Sequence, residues 1–218
     1  MGKDNDKYYE PLEQMMAVRH QYMSKVIKAQ TGMDIYRFFH NKKVLDIGCG
    51  TGQFLKNYSE MGSKCTGVDV LDNFIFKKSK NLTYYEAEAN AFLESCNKKF
   101  DVVFLFEFLE HLDEKEKNKI FKNLKKLLNK KSYIFISTLN KNSVSKYLSI
   151  NIAENLLNLL PKSTHDYDLF ITPDQLQTIG KKYKFKLVNF EGMLYNPLLK
   201  NFKLSKINIV NYFCTLQN

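Results

Sequence analysis

The feature that most constrains the fold is a glycine-rich turn between two short strand-like segments. Residues 43–47 (KVLDI) are mostly aliphatic and stop at the turn GCGTG, residues 48–52. A helix is predicted from near Gly52, and residues 64–70 (KCTGVDV) form the next predicted strand. This succession is typical of a βαβ unit in a parallel sheet.

The rest of the chain continues this alternation. Residues 100–106 (FDVVFLF) are almost continuously apolar, which indicates a strand buried on both faces of a sheet. Strands are also predicted at 82–86, 133–137, 185–192 and 207–216, and helices at 113–129 and from Thr172 and Pro173 to Lys182. We therefore expect an α/β fold with a Rossmann-like, doubly wound, mainly parallel seven-stranded sheet, helices on both faces and an antiparallel last strand.

The length of 218 residues fits one domain. Within it we expect a helical N-terminal segment (residues 1–40) and a lid or membrane-facing insertion (residues 143–171). The hydrophilic start and the lack of a long apolar run argue against export and against a spanning helix. The four cysteines lack CxxC spacing, which argues against disulfides and structural zinc. We expect a cytoplasmic or organelle-matrix protein.

The formal charge of +10 invites an anionic partner. Nearly all the cations are lysines, and only Arg19 and Arg37 carry the guanidinium fork that reads bases and phosphates. The segment after residues 100–106 also lacks an NPPY-like motif for amino methylation. No nucleic-acid partner is expected.

The glycine turn predicts a cofactor site at the carboxyl edge of the sheet. Its spacing is GxGxG, which differs from the dinucleotide and P-loop patterns and favours a nucleoside without phosphates. Gly48, Gly50 and Gly52 would lie against the amino acid half of S-adenosylmethionine. Asp69 would accept hydrogen bonds from the ribose hydroxyls, and Asp46 would hold the turn or reach the ligand ammonium indirectly. The alternative is a turn without a nucleotide, with Asp69 as a helix cap.

Three potential metal ligands follow the fourth predicted strand. Glu107, Glu110 and His111 have the spacing i, i+3 and i+4, which places them on one face if this stretch is helical. Together they could hold Mg²⁺, which would chelate both oxygens of a catechol and lower the pKa of its hydroxyls. A hydrogen-bonded cluster without a metal is the alternative.

From Lys43 to the C-terminus the chain resembles the ubiquinone-biosynthesis O-methyltransferases. VLDIGCGTG is shared by many class I methyltransferases, whereas STLNKN (137–142), LPKSTHDYDLFITPDQL (160–176), GMLYN (192–196), FKLS (202–205) and VNYF (210–213) are more specific. The resemblance implies S-adenosylmethionine-dependent methylation of phenolic hydroxyls on a hydrophobic polyprenyl phenol or quinol. It also implies possible partners among the proteins of ubiquinone biosynthesis.

The same resemblance implies site residues. Arg19 would contact the cofactor carboxylate, with a surface salt bridge as the alternative. Gly48, Asp69 and Phe106 occupy other cofactor positions, and Phe106 stands where the family often has Met, so an aromatic face would meet the sulfonium. The chain has no tryptophan, whereas the family usually carries a tryptophan-rich segment before the pre-sheet helix.

Two predictions fall on the segment after the fifth strand. His165 is the candidate general base, because imidazole titrates near neutral pH, and a loop-stabilising role together with Asp166 is the alternative. Residues 145–160 are amphipathic and could contact an anionic inner membrane peripherally, or form a lid on the sheet. The competing functions are another small-molecule O-methyltransferase and a basic RNA-associated methyltransferase or binding module.

Overall fold

The computed structural model describes residues 6–72, 74–146, 166–196 and 201–218, with side chains from residue 15 onward. Its elements alternate as the sequence predicts. The helices are α1 (Asp6–Thr31), α2 (Ile35–Phe39), α3 (Gln53–Glu60), α4 (Ala89–Ser95), α5 (Glu114–Leu127) and α6 (Pro173–Lys182), with short 3₁₀ helices at Leu109–His111 and Tyr167–Leu169. The strands are β1 (Lys43–Ile47), β2 (Lys64–Asp69), β3 (Leu82–Glu86), β4 (Phe100–Phe106), β5 (Leu128–Leu139), β6 (Lys186–Asn196), β7 (Asn201–Ser205) and β8 (Asn211–Gln217).

All these strands form one sheet in the order β3-β2-β1-β4-β5-β8-β6-β7. The pairs within β1 to β5 are parallel, and β8 pairs antiparallel with β5 and with β6. The chain winds outward from β1 to β3 and then returns beside β1 as β4, so the winding reverses between β1 and β4. Ligands bind at such a reversal, outside the carboxyl ends of the strands. The predicted α/β, doubly wound, mainly parallel fold is confirmed.

The strand count differs from the predicted seven, because the described residues form an eight-stranded sheet. Strand β6 continues past the predicted end at residue 192 and returns as β7, with Gly192 opposite Ser205. The segments GMLYN and FKLS are therefore the two arms of an antiparallel hairpin. Strand β5 also begins earlier than predicted, at Leu128, because Leu128 pairs with Phe100 and ends the preceding helix there.

Local capping explains where two helices begin. At the start of α5, Asp113 accepts from the Glu116 amide and the Glu116 side chain accepts from the Asp113 amide. Thr172 and Gln175 form the same reciprocal capping box before α6, with Pro173 in its first turn as predicted. Each box satisfies amide donors that a helix start leaves unpaired.

The two faces of the sheet have different cores. Helices α1, α2 and α3 cover a face rich in aromatic side chains, whereas α4, α5 and α6 cover a mainly aliphatic face. The rings of the first core include Tyr22, Phe39, Phe54, Tyr58, Phe104, Phe106, Phe135 and Phe213. Among the described residues, none of the helices combines the length and the apolar character that crossing a membrane requires.

Candidate active site

The glycine turn after β1 has positive φ angles, which residues other than glycine adopt only at a cost in free energy. Gly48, Gly50 and Gly52 have φ of 73°, 54° and 79°. A Cβ on Gly52 would lie 2.4 Å from the Tyr84 hydroxyl oxygen, so a side chain has no room there. At Gly50, by contrast, no atom lies within 4 Å of the corresponding point, and the residue is exposed. The turn is therefore packed on its inner side and open at Gly50, as a cradle for a ligand requires.

Asp69 connects this turn to the end of β2. Its Oδ2 accepts a hydrogen bond from the Gly50 amide (2.8 Å), and its Oδ1 accepts one from the Leu71 amide (3.2 Å). The described residues after β2 contain no helix before α4, so Asp69 does not cap a helix there. The carboxylate lies where the sequence predicts a ribose-binding acid.

Asp46 lies beneath the same turn, in the last part of β1. Its side chain is buried, and burial raises the pKa of this carboxyl to about 7, with the Asp69 charge acting in the same direction and the Arg19 charge against it. Of the two predicted roles for Asp46, holding the turn from below fits this burial.

Arg19 reaches the same edge from α1. Its guanidinium carbon lies 5.0 Å from the centroid of the Phe106 ring and 5.8 Å from that of Phe54, which are cation-π distances. Its Nη2 is 3.7 Å from Oε1 of Glu107, and its Nε is buried without a hydrogen-bond partner. With a side chain only 14% exposed, Arg19 does not form the surface salt bridge of the alternative interpretation. The positive charge of this guanidinium at the carboxyl edge suits the carboxylate of an amino acid ligand.

The two glutamates after β4 form hydrogen bonds to the end of β5. The Ser137 hydroxyl donates to Oε1 of Glu107 (2.7 Å), and the Thr138 hydroxyl donates to Oε2 of Glu110 (2.8 Å). Glu107 has a left-handed backbone with φ of 49°. Burial and the neighbouring Glu107 charge raise the pKa of Glu110 well above its ordinary value. Such an arrangement costs free energy and is typical of functional sites.

The helical face expected for Glu107, Glu110 and His111 does not form. Only Leu109–His111 is helical, as a single 3₁₀ turn, and Glu107 precedes it in the left-handed conformation. Burial also lowers the pKa of His111. No three His, Cys, Asp or Glu side chains within the described part of the chain are placed to hold a metal ion. This geometry fits the hydrogen-bonded cluster, and a magnesium ion held by the trio stays a prediction.

The structure thus brings together most of the predicted site. The three glycines, Asp46, Asp69, Arg19 and Phe106 all lie at the carboxyl edge around the reversal of the winding. Sequence reasoning missed Ser137, Thr138 and Tyr84 as contributors. Ser137 and Thr138 begin STLNKN, but only the pairing of Phe106 with Ser137 places them beside the glutamates. His165 lies outside the described residues.

Comparisons with known proteins agree with this geometry. Residues 18–189 match the family described as Methyltransferase domain. The ubiquinone biosynthesis O-methyltransferase of Colwellia psychrerythraea is 32% identical over 94% of this chain and 85% of its own length. The protein of the same name from Paraburkholderia phytofirmans is 31% identical over 96% of this chain and 88% of its own length.

A solved structure also shares the fold. The magnesium protoporphyrin IX methyltransferase of Synechocystis PCC 6803, determined with bound S-adenosylhomocysteine, superposes with a TM-score of 0.63. It is 13% identical, and the match covers 100% of this chain and 88% of that chain.

The sheet is Rossmann-like, its glycine turn is open, and an acid stands at the end of the next strand. Together with the domain match, these features define the chain as an S-adenosylmethionine-dependent methyltransferase. Within that class, the identity over nearly the whole chain decides the family. The chain belongs to the ubiquinone biosynthesis O-methyltransferases.

Proposed function

We propose that this enzyme methylates a phenolic hydroxyl of a polyprenylated catechol or quinol intermediate in ubiquinone biosynthesis. The observation that carries the proposal is the 31–32% identity, over 94–96% of the chain, to relatives named ubiquinone biosynthesis O-methyltransferase. The aromatic core behind the reactive edge agrees with it, because Phe54 and Phe106 lie under the Arg19 guanidinium and make this edge apolar.

The residues at the edge fit S-adenosylmethionine. Gly50 would allow close approach of the ligand, Asp69 would accept from the ribose hydroxyls, and the Arg19 guanidinium would pair with the carboxylate. When bound, the cofactor supplies an electrophilic methyl group on a sulfonium. The chain's own contribution is to hold the acceptor oxygen in line with that methyl.

The acceptor must lose a proton as its new carbon–oxygen bond forms. A phenol has a pKa of about 10, so a group that accepts this proton at neutral pH raises the rate. His165 remains our proposed base on the strength of its sequence context alone.

The acceptor assignment is tested by methyl transfer to a soluble catechol analogue of demethylubiquinol, with and without added Mg²⁺. We expect production of S-adenosylhomocysteine by the wild type and a loss of at least about tenfold in cofactor affinity for Asp69→Ala, because charged hydrogen bonds contribute roughly 1.5–3 kcal/mol. Asp72→Ala, which removes an exposed acid three residues away, is the control and should bind like the wild type.

The outcomes test the cofactor and the acceptor separately. A wild type that binds S-adenosylhomocysteine in calorimetry but methylates no catechol would overturn the acceptor and leave the cofactor in place. Equal rates in Mg²⁺ and in a chelator would contradict the proposed role of Glu107, Glu110 and His111 in holding the metal.

We also propose peripheral contact with anionic membranes, since a polyprenylated acceptor resides in a bilayer. The candidate surface is the amphipathic sequence 145–160, most of which lies outside the described residues. Binding should weaken with salt. If the chain fails to sediment with vesicles rich in anionic phospholipid at low salt, the contact is wrong.

A further inference from the structure

A groove runs between helices α1 and α3 on the aromatic face of the molecule. Its volume is about 760 Å³, within the roughly 300–1,000 Å³ that small-molecule sites occupy. Side chains of α1, α2 and α3 line it together with Met61, which follows α3. The apolar and aromatic ones are Met16, Ala17, Tyr36, Phe54, Tyr58 and Met61, and the polar ones are His20 and the exposed Asn57 and Glu60.

The lining of the groove suits a flexible apolar chain. Met16 and Met61 are unbranched and polarizable, so they adapt to irregular apolar shapes. Phe54 and Tyr58 form the inner wall, with ring centroids 5.1 Å apart. His20 is hydrogen-bonded to the Tyr58 hydroxyl (3.2 Å), so its ring joins this wall.

The groove and the reactive edge share one ring, that of Phe54. Phe54 lines the groove and also lies under the Arg19 guanidinium, whose carbon is 5.8 Å from its centroid. Phe54 itself packs edge-on against Phe106 at the end of β4, with centroids 5.3 Å apart. The groove therefore begins about one ring away from the end of β4, within reach of a tail attached to an acceptor at this edge.

A second cavity provides a contrast. It lies between α4 and α5 on the opposite face, has a volume of about 510 Å³, and is lined by Lys99, Lys119, Lys122 and Lys126. Ammonium groups keep water around them, so this cavity disfavours a hydrocarbon chain. Of these two cavities in the described part of the chain, the groove on the α1 and α3 side is the one with mainly apolar walls and a residue at the reactive edge.

We propose that the groove between α1 and α3 binds the polyprenyl tail of the acceptor. The inference rests on the proposed function, since it takes a tailed phenol or quinol as the substrate. Burial of the tail there would contribute binding free energy in proportion to the apolar area removed from water. The tail would thereby help to orient the hydroxyl at the edge of the sheet.

The test compares two acceptors that share one catechol ring. One carries a tail of several isoprene units, in detergent, and the other has none. Ala17→Trp fills the groove from α1, and Asn57→Trp fills it from α3. Both positions are exposed, so neither substitution disturbs the core. For each variant, the KM of the tailed acceptor should rise roughly tenfold relative to the KM of the tail-less one, a difference of about 1.4 kcal/mol.

Ala91→Trp is the matched control. Ala91 is an exposed alanine of α4 on the opposite face, so its substitution adds the same ring without filling the groove. Its ratio of KM values should equal that of the wild type. If Ala17→Trp and Asn57→Trp also leave the ratio unchanged, the tail binds elsewhere and the inference is wrong. If the wild type methylates neither acceptor, the proposed function fails instead.

Discussion

Two regions at the carboxyl edge of the sheet hold carboxylates in different ways. In the glycine turn (residues 48–52) the donors are main-chain amides, since the Gly48 amide donates to the Val68 carbonyl and the Gly50 amide donates to Oδ2 of Asp69. The acidic cluster, which we define as Glu107, Glu110, Ser137 and Thr138, is held by side-chain hydroxyls of the next strand. The first arrangement depends on the local backbone conformation of the turn. The second depends on which strands become neighbours in the sheet.

The two regions also differ in where their unpaired polar groups lie. On the turn side, the buried Nε of Arg19 is a donor without a partner. In the acidic cluster, the buried Oε1 of Glu110 has no hydrogen-bond partner, and burial raises the pKa of this carboxyl so that it keeps a proton. Unpaired buried polar atoms are costly. On the turn side the unpaired group belongs to a cation, whereas in the cluster it belongs to a carboxyl that keeps its proton.

The largest loss of stability is expected from a substitution in the glycine turn. Gly52→Ala should lower the free energy of unfolding by about 3 kcal/mol, because it combines left-handed strain of roughly 1–2 kcal/mol with overpacking against Tyr84. Tyr84 has little room to yield, since it is 1% exposed and stacked on Phe74. Gly50→Ala meets no atom and should cost only about 1 kcal/mol in the same urea titration. Equal losses for the two variants would show that strain alone, without the clash, decides the turn.

A smaller effect concerns pH. The pKa of Asp46 rises on folding from 3.8 to about 7, so the folded state binds more protons than the unfolded state between these values. The contribution of Asp46 to stability therefore falls as pH increases through that window. In Asp46→Asn this loss is absent. Between about pH 5 and about pH 7, the free energy of unfolding of the variant should therefore rise by about 2 kcal/mol relative to that of the wild type.

The measurement is urea unfolding of both proteins across that range. Arg19 and Asp69 are the charged groups that face Asp46, and they are unchanged in the variant. Asp72→Asn removes an exposed carboxylate on the same edge and serves as the control. Parallel curves for Asp46→Asn and the wild type would contradict the burial effect.

The smallest expected effect concerns the acidic cluster. Thr138→Val keeps the shape of the side chain but removes the hydroxyl that donates to Oε2 of the buried Glu110 carboxyl. We expect the free energy of unfolding to fall by about 1.5 kcal/mol. Thr83→Val, in the half-buried part of β3, should stay within about 0.5 kcal/mol. No loss at Thr138 would mean that the cluster does not depend on this hydroxyl.

Much of the turn side was predictable because its information is local. The alternation of KVLDI, GCGTG and KCTGVDV already places a glycine cradle and an acid at neighbouring strand ends, and the structure joins them through the Gly50 amide and Asp69. Likewise, Thr172, Pro173 and Gln175 mark a helix start within four residues. Such features follow from backbone preferences and short-range hydrogen bonds.

The acidic cluster was less predictable. The spacing of Glu107, Glu110 and His111 suggested one helical face, but Glu107 takes a left-handed conformation as its amide donates to the Ser137 carbonyl. That bond depends on the register between β4 and β5, in which Phe106 pairs with Ser137. The hairpin of β6 and β7 escaped prediction for the same reason, since strand pairing is set by partners distant in sequence.

By itself, the sequence determined the class of fold, the glycine turn and the acid after β2, because periodicity, glycine spacing and capping are local properties of the chain. Only the tertiary structure decided that Arg19 lies across the rings of Phe54 and Phe106, that Ser137 and Thr138 hold the glutamates, and that a groove between α1 and α3 shares the Phe54 ring with this edge. These contacts join residues on separate helices and strands, and they exist only once the sheet has set the neighbours of each strand.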